Sequence, residues 1–211
     1  RAILVGGTGL YLGAATRGLA EIPPIPHSVR HDGDMRLADA GIEALVSDLE
    51  VHAPDSLVGM DIRNPRRVQR AWEVWKATGR GLDTWQQART EPIVLDAVRL
   101  VLETDTAALD DRISSRLMHM TKSGALDEVA RNRDVIESVG PAAKALGARA
   151  FLDHVDGKAS LEDAVARASI ATRRYAKRQR TWFRNQMPDW PRLDANAPDL
   201  AARALDLVRL G

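Results

Sequence analysis

The chain has 211 residues with 45% apolar content, enough to bury a core and too apolar for a disordered tail. Its net charge is only +1 and it has no cysteine, which excludes disulfides, thiolate zinc sites and cysteine nucleophiles, and means that any grip on a polyanion must come from where charges sit. No apolar run approaches the ~20 residues that span a bilayer, and the N-terminus lacks the basic-then-apolar order of a signal peptide.

The order of elements starts abruptly. Ala2-Ile3-Leu4-Val5 reads as a buried parallel strand directly behind Arg1. A chain opening inside a strand without Met is expected to be a fragment whose earlier part is absent. Gly6-Gly7-Thr8-Gly9 follows, then a helix through Leu10, Ala14, Ala15 and Leu19. Pro23, Pro24 and Pro26 mark a connection. From Val29 to about Arg89 the pattern is helical. Asn64 and Pro65 start one helix as N-cap and first residue, Val68, Trp72 and Trp75 form its apolar face, and Gly79 and Gly81 end it. Residues 97–102 read as a second strand, and Asp105 or Thr106 caps the helix over residues 106–122. Further helices are expected at 126–133, 142–154, 161–186 and 199–210. Two strands among many helices predict an α/β fold, with core residues 1–21 and 93–211 and a helical insertion at 22–92.

The stretch 171–184 carries six cations, no acid and three aromatics. On a helix, Arg173, Lys177, Arg180 and Arg184 share one stripe, flanked by Arg174 and Arg178, opposite Leu161, Ala164, Val165, Ala168, Tyr175, Trp182 and Phe183. Like charges this close repel, so a helix that gathers them is expected to meet a polyanion. Gln179 sits on the apolar side, where its amide would bond core backbone or a ligand, the backbone being the preferred reading.

Strand, Gly-Gly-Thr-Gly and helix place N–H groups and the Thr8 hydroxyl at a helix N-terminus, where anions are favoured; a plain tight turn explains the glycines equally well. Leu12 stands where a dinucleotide fingerprint needs its third glycine, and no Gly-Lys-Ser/Thr occurs. Arg116 falls on a stripe with Leu109, Ile113 and Met120, one turn from Arg112. The pair suits phosphate, while a structural ion pair or a snorkelling side chain is the simpler account. Arg66, Arg67 and Arg70 stand in the first turns of the Asn64 helix, where cations oppose the dipole and an anionic ligand would relieve them; a solvated face with Glu73 is the competing reading. His27 and His31 lack a third metal ligand, and Trp72 and Trp75 read as core in preference to base-stacking platforms.

Five segments together resemble the bacterial tRNA dimethylallyltransferase family. They are Leu4-Val5-Gly6-Gly7-Thr8-Gly9-Leu10-Tyr11; Asn64-Pro65-Arg66-Arg67-Val68-Gln69-Arg70-Ala71-Trp72-Glu73-Val74; Asp111-Arg112-Ile113 with Arg116, Met120 and Gly124; Ala145-Leu146-Gly147; and Thr172-Arg173 through Arg184. The Lys-Arg-Gln-x-Thr-Trp-Phe-Arg string is the most specific. The resemblance implies a P-loop NTPase-like parallel-sheet core, incomplete here, with a helical insertion that grips the tRNA anticodon arm. It implies transfer of a dimethylallyl group from dimethylallyl diphosphate to the exocyclic amine of the adenosine 3′-adjacent to the anticodon.

By the same resemblance Thr8 lies at the reaction centre and Arg116, with Arg112, meets the diphosphate. Arg30, Arg66, Arg67, Arg70, Lys144, Arg149, Lys177, Arg178, Gln179, Arg180 and Arg184 would contact tRNA. For Arg30, Lys144 and Arg149 the resemblance is the sole ground. Magnesium is implied, its ligands lying mainly outside this chain, as are a cytoplasmic location, no membrane and a monomer. The sequence departs from the family in lacking its Gly-rich phosphate loop, its catalytic Asp and the segment that holds the flipped adenosine. Ala148 and Ala150 replace the aromatic and acidic residues usual after Gly147, and Ala53-Pro54 stands where Asp-Pro is common. Without the cysteines of the eukaryotic zinc finger the type is bacterial. Alone, the chain is expected to bind tRNA weakly at best and to have negligible transferase activity. An adenylate isopentenyltransferase would share Thr8 and Arg116 without needing the basic stripe; a non-catalytic RNA-binding module would leave Arg116 without a use.

Overall fold

A computed structural model describes residues 2–88, 90–138 and 141–210. Arg1, and Arg89 at the end of the expected helical stretch, lie outside these. The chain forms two compact units, Leu10–Leu95, and Arg1–Gly9 together with Asp96–Gly211.

In the first of these, α1 (Gly9–Arg17) is followed by α2 (His27–His52), a 3-10 turn (Pro54–Leu57), α3 (Pro65–Thr78) and α4 (Leu82–Gln87). The N-cap of α3 forms as its sequence dictates, the Asn64 side chain accepting from the Arg67 amide at 3.3 Å. Gly79 closes it in the left-handed region at φ 69°. Gly41, with φ 76°, kinks α2. Leu45, Leu49, Val68, Ala71 and Trp72 form the shared core of α2 and α3. Trp72 is 3% exposed and its indole N–H donates to Asp48 at 2.8 Å, so it cannot stack on a base. Trp75 stacks on His52, ring centroids 4.6 Å apart. From Leu10 onward α1 falls in this unit, whereas the sequence placed it with the core. Its neighbours explain this: the Val94 amide donates to Ala15 and the Thr90 amide to Leu19.

The other unit holds β1 (Val101–Glu103), α5 (Thr106–Lys122), α6 (Ala125–Arg131), α7 (Arg133–Glu137), α8 (Ala148–Val155), α9 (Leu161–Gln186), β2 (Arg192–Asp194) and α10 (Leu200–Leu210). The fold is therefore α/β, mostly helical, with a small parallel sheet. β1 and β2 pair in parallel, Val101 opposite Arg192 and Glu103 opposite Asp194. Ile113, Leu117, Val129, Ile136, Phe151, Leu152, Ala164, Val165 and Ala168 form a core among α5 to α9. Met187, Trp190, Val101 and Leu193 are buried at the sheet.

Four expectations change. Residues 2–5 are not a strand: Ile3, Leu4 and Val5 are 87%, 68% and 91% exposed, and without a paired neighbour an extended segment has no ladder to join. The second strand is Val101–Glu103 in place of residues 97–102, and its partner β2 was not anticipated. Three residues are too few to show an alternating pattern. The helix expected over 142–154 breaks into a 3-10 turn (Pro141–Lys144) and α8, because Gly147 takes φ 83° between them. Likewise α6 and α7 divide at Asn132. By contrast α5 and α9 have the bounds that their sequences predict. Asp105 caps α5, accepting from the Ala108 amide at 3.0 Å, and Ser160 caps α9, accepting from the Asp163 amide at 3.0 Å.

Candidate functional site

The glycine turn is built against α9. Gln179 Nε2 donates to the Gly7 carbonyl at 3.0 Å, so the amide takes the backbone partner preferred from sequence. A Cβ on Gly7 would collide with that amide, and a Cβ on Gly9 would fall within the Trp182 indole. The glycines are therefore needed for the close approach of two α9 side chains. Thr8 between them is exposed, at the N-terminus of α1.

Helix α5 carries Arg112 and Arg116. The buried stripe runs through Ile113 and Leu117, with Leu109 and Met120 partly buried. Arg116 lies beside that stripe and is exposed, which corrects the expectation of an arginine on the core-facing side: Leu117 takes the inward position, so the Arg116 charge needs no buried partner. It has no side-chain partner among the described residues. Arg112 Nη2 donates to Asn196 Oδ1 at 2.6 Å, and Asn196 in turn donates to Thr104 at 2.7 Å. Arg112 thus ties α5 to the loop after β2. Backbone amides of the first turn of α5 hold the Asp105 carboxyl below its ordinary range, with Arg180 adding to the effect.

On α9 the cations of the stripe alternate. Arg173 Nε lies 3.3 Å from Asp110, and Arg180 Nη1 donates to Thr106 Oγ1 at 2.7 Å, so both fasten α9 to α5. Lys177 and Arg184, with Arg174 beside them, are exposed and have no side-chain partner among the described residues. Arg178 lies over the Tyr175 ring at 5.6 Å. The opposite side is not the continuous apolar face expected: Tyr175 and Trp182 are each 37% exposed, because the core beneath α9 ends near Ala168 and Ser169. Arg192 finishes the helix, its Nη2 donating to the carbonyls of Phe183 at 3.1 Å and Met187 at 3.2 Å. Lys144 is exposed. Arg149 is engaged by carboxylates, at 3.4 Å from Asp153 and 3.9 Å from Glu137.

In the Leu10–Leu95 unit, Arg30 on α2 and Arg66 and Arg67 on α3 are exposed. Arg70 lies 3.8 Å from Glu73. Burial pushes the Glu73 carboxyl up from its ordinary value, and Arg70 and Arg30 pull it back only in part. Gln69 donates to Asp34 at 2.7 Å. The cluster joins α2 to α3, which gives Arg30 a local carboxylate neighbour that the sequence did not disclose.

Among the described residues no three His, Asp or Glu side chains gather where they could hold a metal ion. The magnesium implied by the resemblance finds no site in them. Sequence reasoning did not find Asp110, Thr106, Asn196 and Trp182 as the partners that organise the site. Arg180 and Thr106, Arg112 and Asn196, and Gly7 and Gln179 stand 74, 84 and 172 positions apart, beyond any local pattern.

The family described as IPP transferase matches residues 1–186. The tRNA dimethylallyltransferase of Cereibacter sphaeroides is 49% identical over 193 residues, which is 90% of this chain and 60% of that protein. The tRNA dimethylallyltransferase of Paracoccus denitrificans is 45% identical over 197 residues, 90% of this chain and 63% of that protein. The chain thus spans under two thirds of the length of these curated relatives. Among solved structures, the full-length tRNA isopentenylpyrophosphate transferase of Bacillus halodurans superposes with a TM-score of 0.57 at 30% identity, over 98% of this chain and 64% of that one. A eukaryotic dimethylallyltransferase acting on tRNA shares the fold, with a TM-score of 0.72 at 24% identity over 95% of this chain and 54% of that one.

Proposed function

The chain belongs to the IPP transferase family, and on that premise we propose that it serves transfer of a dimethylallyl group from dimethylallyl diphosphate to the exocyclic amine of the adenosine 3′-adjacent to the anticodon in tRNA. In that reaction the amine nitrogen forms a bond to the allylic carbon as the carbon–oxygen bond to diphosphate breaks. The diphosphate leaves with the electron pair, and the amine gives up a proton to a base. The residues of this chain bind and orient the reactants.

Thr8 places a hydroxyl at the start of α1, beside where the amine and the leaving oxygen meet. Arg116, unpaired and exposed on α5, offers its guanidinium to the diphosphate as negative charge builds there. Arg112 reinforces it once released from Asn196 or while sharing its fork. Magnesium, when bound to the reacting assembly, would screen the diphosphate. The target base must leave its stack to be reached. Lys177 and Arg184, with Arg178 and Arg180, face the tRNA backbone from α9, and Arg30, Arg66, Arg67 and Arg70 do so from the helical unit. Lys144, exposed, completes the contact set, whereas Arg149, paired with Asp153 and Glu137, does not join it. The reading includes a monomer in the cytoplasm; no helix among the described residues is long and apolar enough to cross a membrane.

The observation that carries the proposal is the row of unpartnered cations on α9, which a polyanion would neutralise and a free nucleotide would leave idle. Titration with a labelled anticodon stem-loop and with adenosine monophosphate separates the two. Binding of the stem-loop that weakens steeply with salt is expected; equal or tighter binding of the mononucleotide would transfer the reading to an adenylate isopentenyltransferase. Dimethylallyl diphosphate binding should weaken in Arg116→Ala, and stem-loop binding without that loss would leave only an RNA-binding module.

A further inference from the structure

We propose that Gln179 and Trp182 are positioning residues that hold the Thr8 loop on the back of the basic helix; this rests on the role given to Thr8 above. Residues 2–8 belong to no helix or strand and are exposed. Among the described residues, Gln179 is the side chain hydrogen-bonded to this segment, through the Gly7 carbonyl at 3.0 Å. Trp182 closes on Gly9, one residue beyond Thr8, so closely that no side chain fits there. Thr8 is thus clamped from both flanks by residues three apart on one helix, which lie on the same side of it.

The clamp faces away from the cations. At 3.6 residues per turn, Lys177, Arg180 and Arg184 fall on one face of α9, while Gln179 and Trp182 fall on the other. Arg180 at the same time fixes the first turn of α5 through Thr106, at 2.7 Å, and α5 carries Arg112 and Arg116. One rigid helix therefore sets both the hydroxyl loop and the diphosphate arginines, and can present cations to RNA without releasing either. The resemblance gives Gln179 to tRNA; the geometry gives its amide to Gly7. An acceptor at Gly7 requires the NH₂ end of that amide to face it, so a carboxylate of the same shape cannot replace it.

The test uses the whole chain, in wild-type, Gln179→Glu, Gln179→Ala and Trp182→Ala forms, with Lys177→Glu/Arg184→Glu as the control. ¹⁵N relaxation reads the backbone amides of Gly7, Thr8 and Gly9, and a labelled anticodon stem-loop reads RNA affinity. In each clamp variant the order parameters of the three amides should fall from about 0.85 to below about 0.6. The amides of α8 and the melting transition by circular dichroism should stay as in wild type for the Gln179 variants, and stem-loop affinity should stay within about twofold. Unchanged order parameters would overturn the proposal. So would a loss of RNA affinity in Gln179→Ala equal to that in Lys177→Glu/Arg184→Glu, which would make Gln179 a direct RNA contact. The function itself fails separately: an unaltered stem-loop affinity in Lys177→Glu/Arg184→Glu would remove RNA as the partner while the relaxation data still judged the clamp.

Discussion

The two halves of α9 are one continuous helix with opposite uses. In the first half Ala164, Val165, Ala168 and Ser169 are buried against α5 and α8, and the cation there, Arg167, is matched by Asp153 at 2.6 Å. From residue 173 onward no position is buried, and Arg174, Lys177 and Arg184 have no carboxylate within reach among the described residues. The difference lies both in how basic each stretch is and in what its neighbours supply. Arg149 and Arg167 share Asp153, and Arg133 and Lys158 share Asp156. Those cations are consumed by the fold. A surface ion pair of this kind contributes little to stability, but it leaves little positive potential for a ligand. Where the acids stop, the helix keeps its field, and that is the half assigned to RNA.

This contrast can be broken most severely from the packed side. Phe151→Ala empties the core under Ala164 and Ala168 and should destabilise the unit by about 3–5 kcal/mol in urea unfolding. Stem-loop affinity per folded molecule should hold; a parallel fall would mean that the two halves do not work separately. The reverse experiment is Lys177→Glu/Arg184→Glu. It should weaken stem-loop binding about 10–100-fold, roughly 1.4–2.8 kcal/mol, and flatten the salt dependence by about two phosphate contacts. Stability should remain within about 0.5 kcal/mol, since neither side chain has a partner to lose.

The smallest effect is expected with acid. A hydrogen bond from Arg167 lowers the Asp153 carboxyl, and bonds from Arg133 and Lys158 lower that of Asp156. A carboxyl with a depressed native value binds its proton more readily in the unfolded chain. The stability it contributes is therefore complete above the unfolded value, about 3.9, and drains away as pH falls through the lower native one. Urea midpoints measured from pH 6 down to 2.5 should fall over the acid part of that range. Asp153→Asn/Asp156→Asn should show a lower midpoint at pH 6 and a shallower fall. An unchanged acid slope would show that these pairs do not matter to the packed half.

Much of this was readable in advance because it depends on near neighbours in the chain. The bounds of α5 and α9 follow from caps at Asp105 and Ser160, and the end of α3 follows from Gly79. The motif strings led to the family. The strands were poorly legible: β1 and β2 are three residues each and come into being only through each other. Arg116 was misplaced by a single position, since a stripe of period 3.6 admits either residue 116 or 117 and only the packing of Leu117 chooses. The glycine turn allowed both a ligand and a plain bend, and neither reading contained Trp182.

What the amino-acid order determined by itself was local: helix starts and stops, and the cation stripe with no acid among its residues. Those depend on backbone sterics and on side chains within a turn or two of each other. Only the tertiary structure decided which cations are neutralised and which are left, and that Gln179 meets Gly7. Such pairings join residues tens to hundreds of positions apart, and a short-range electrostatic or hydrogen-bonded contact exists only once the fold has brought its two ends together.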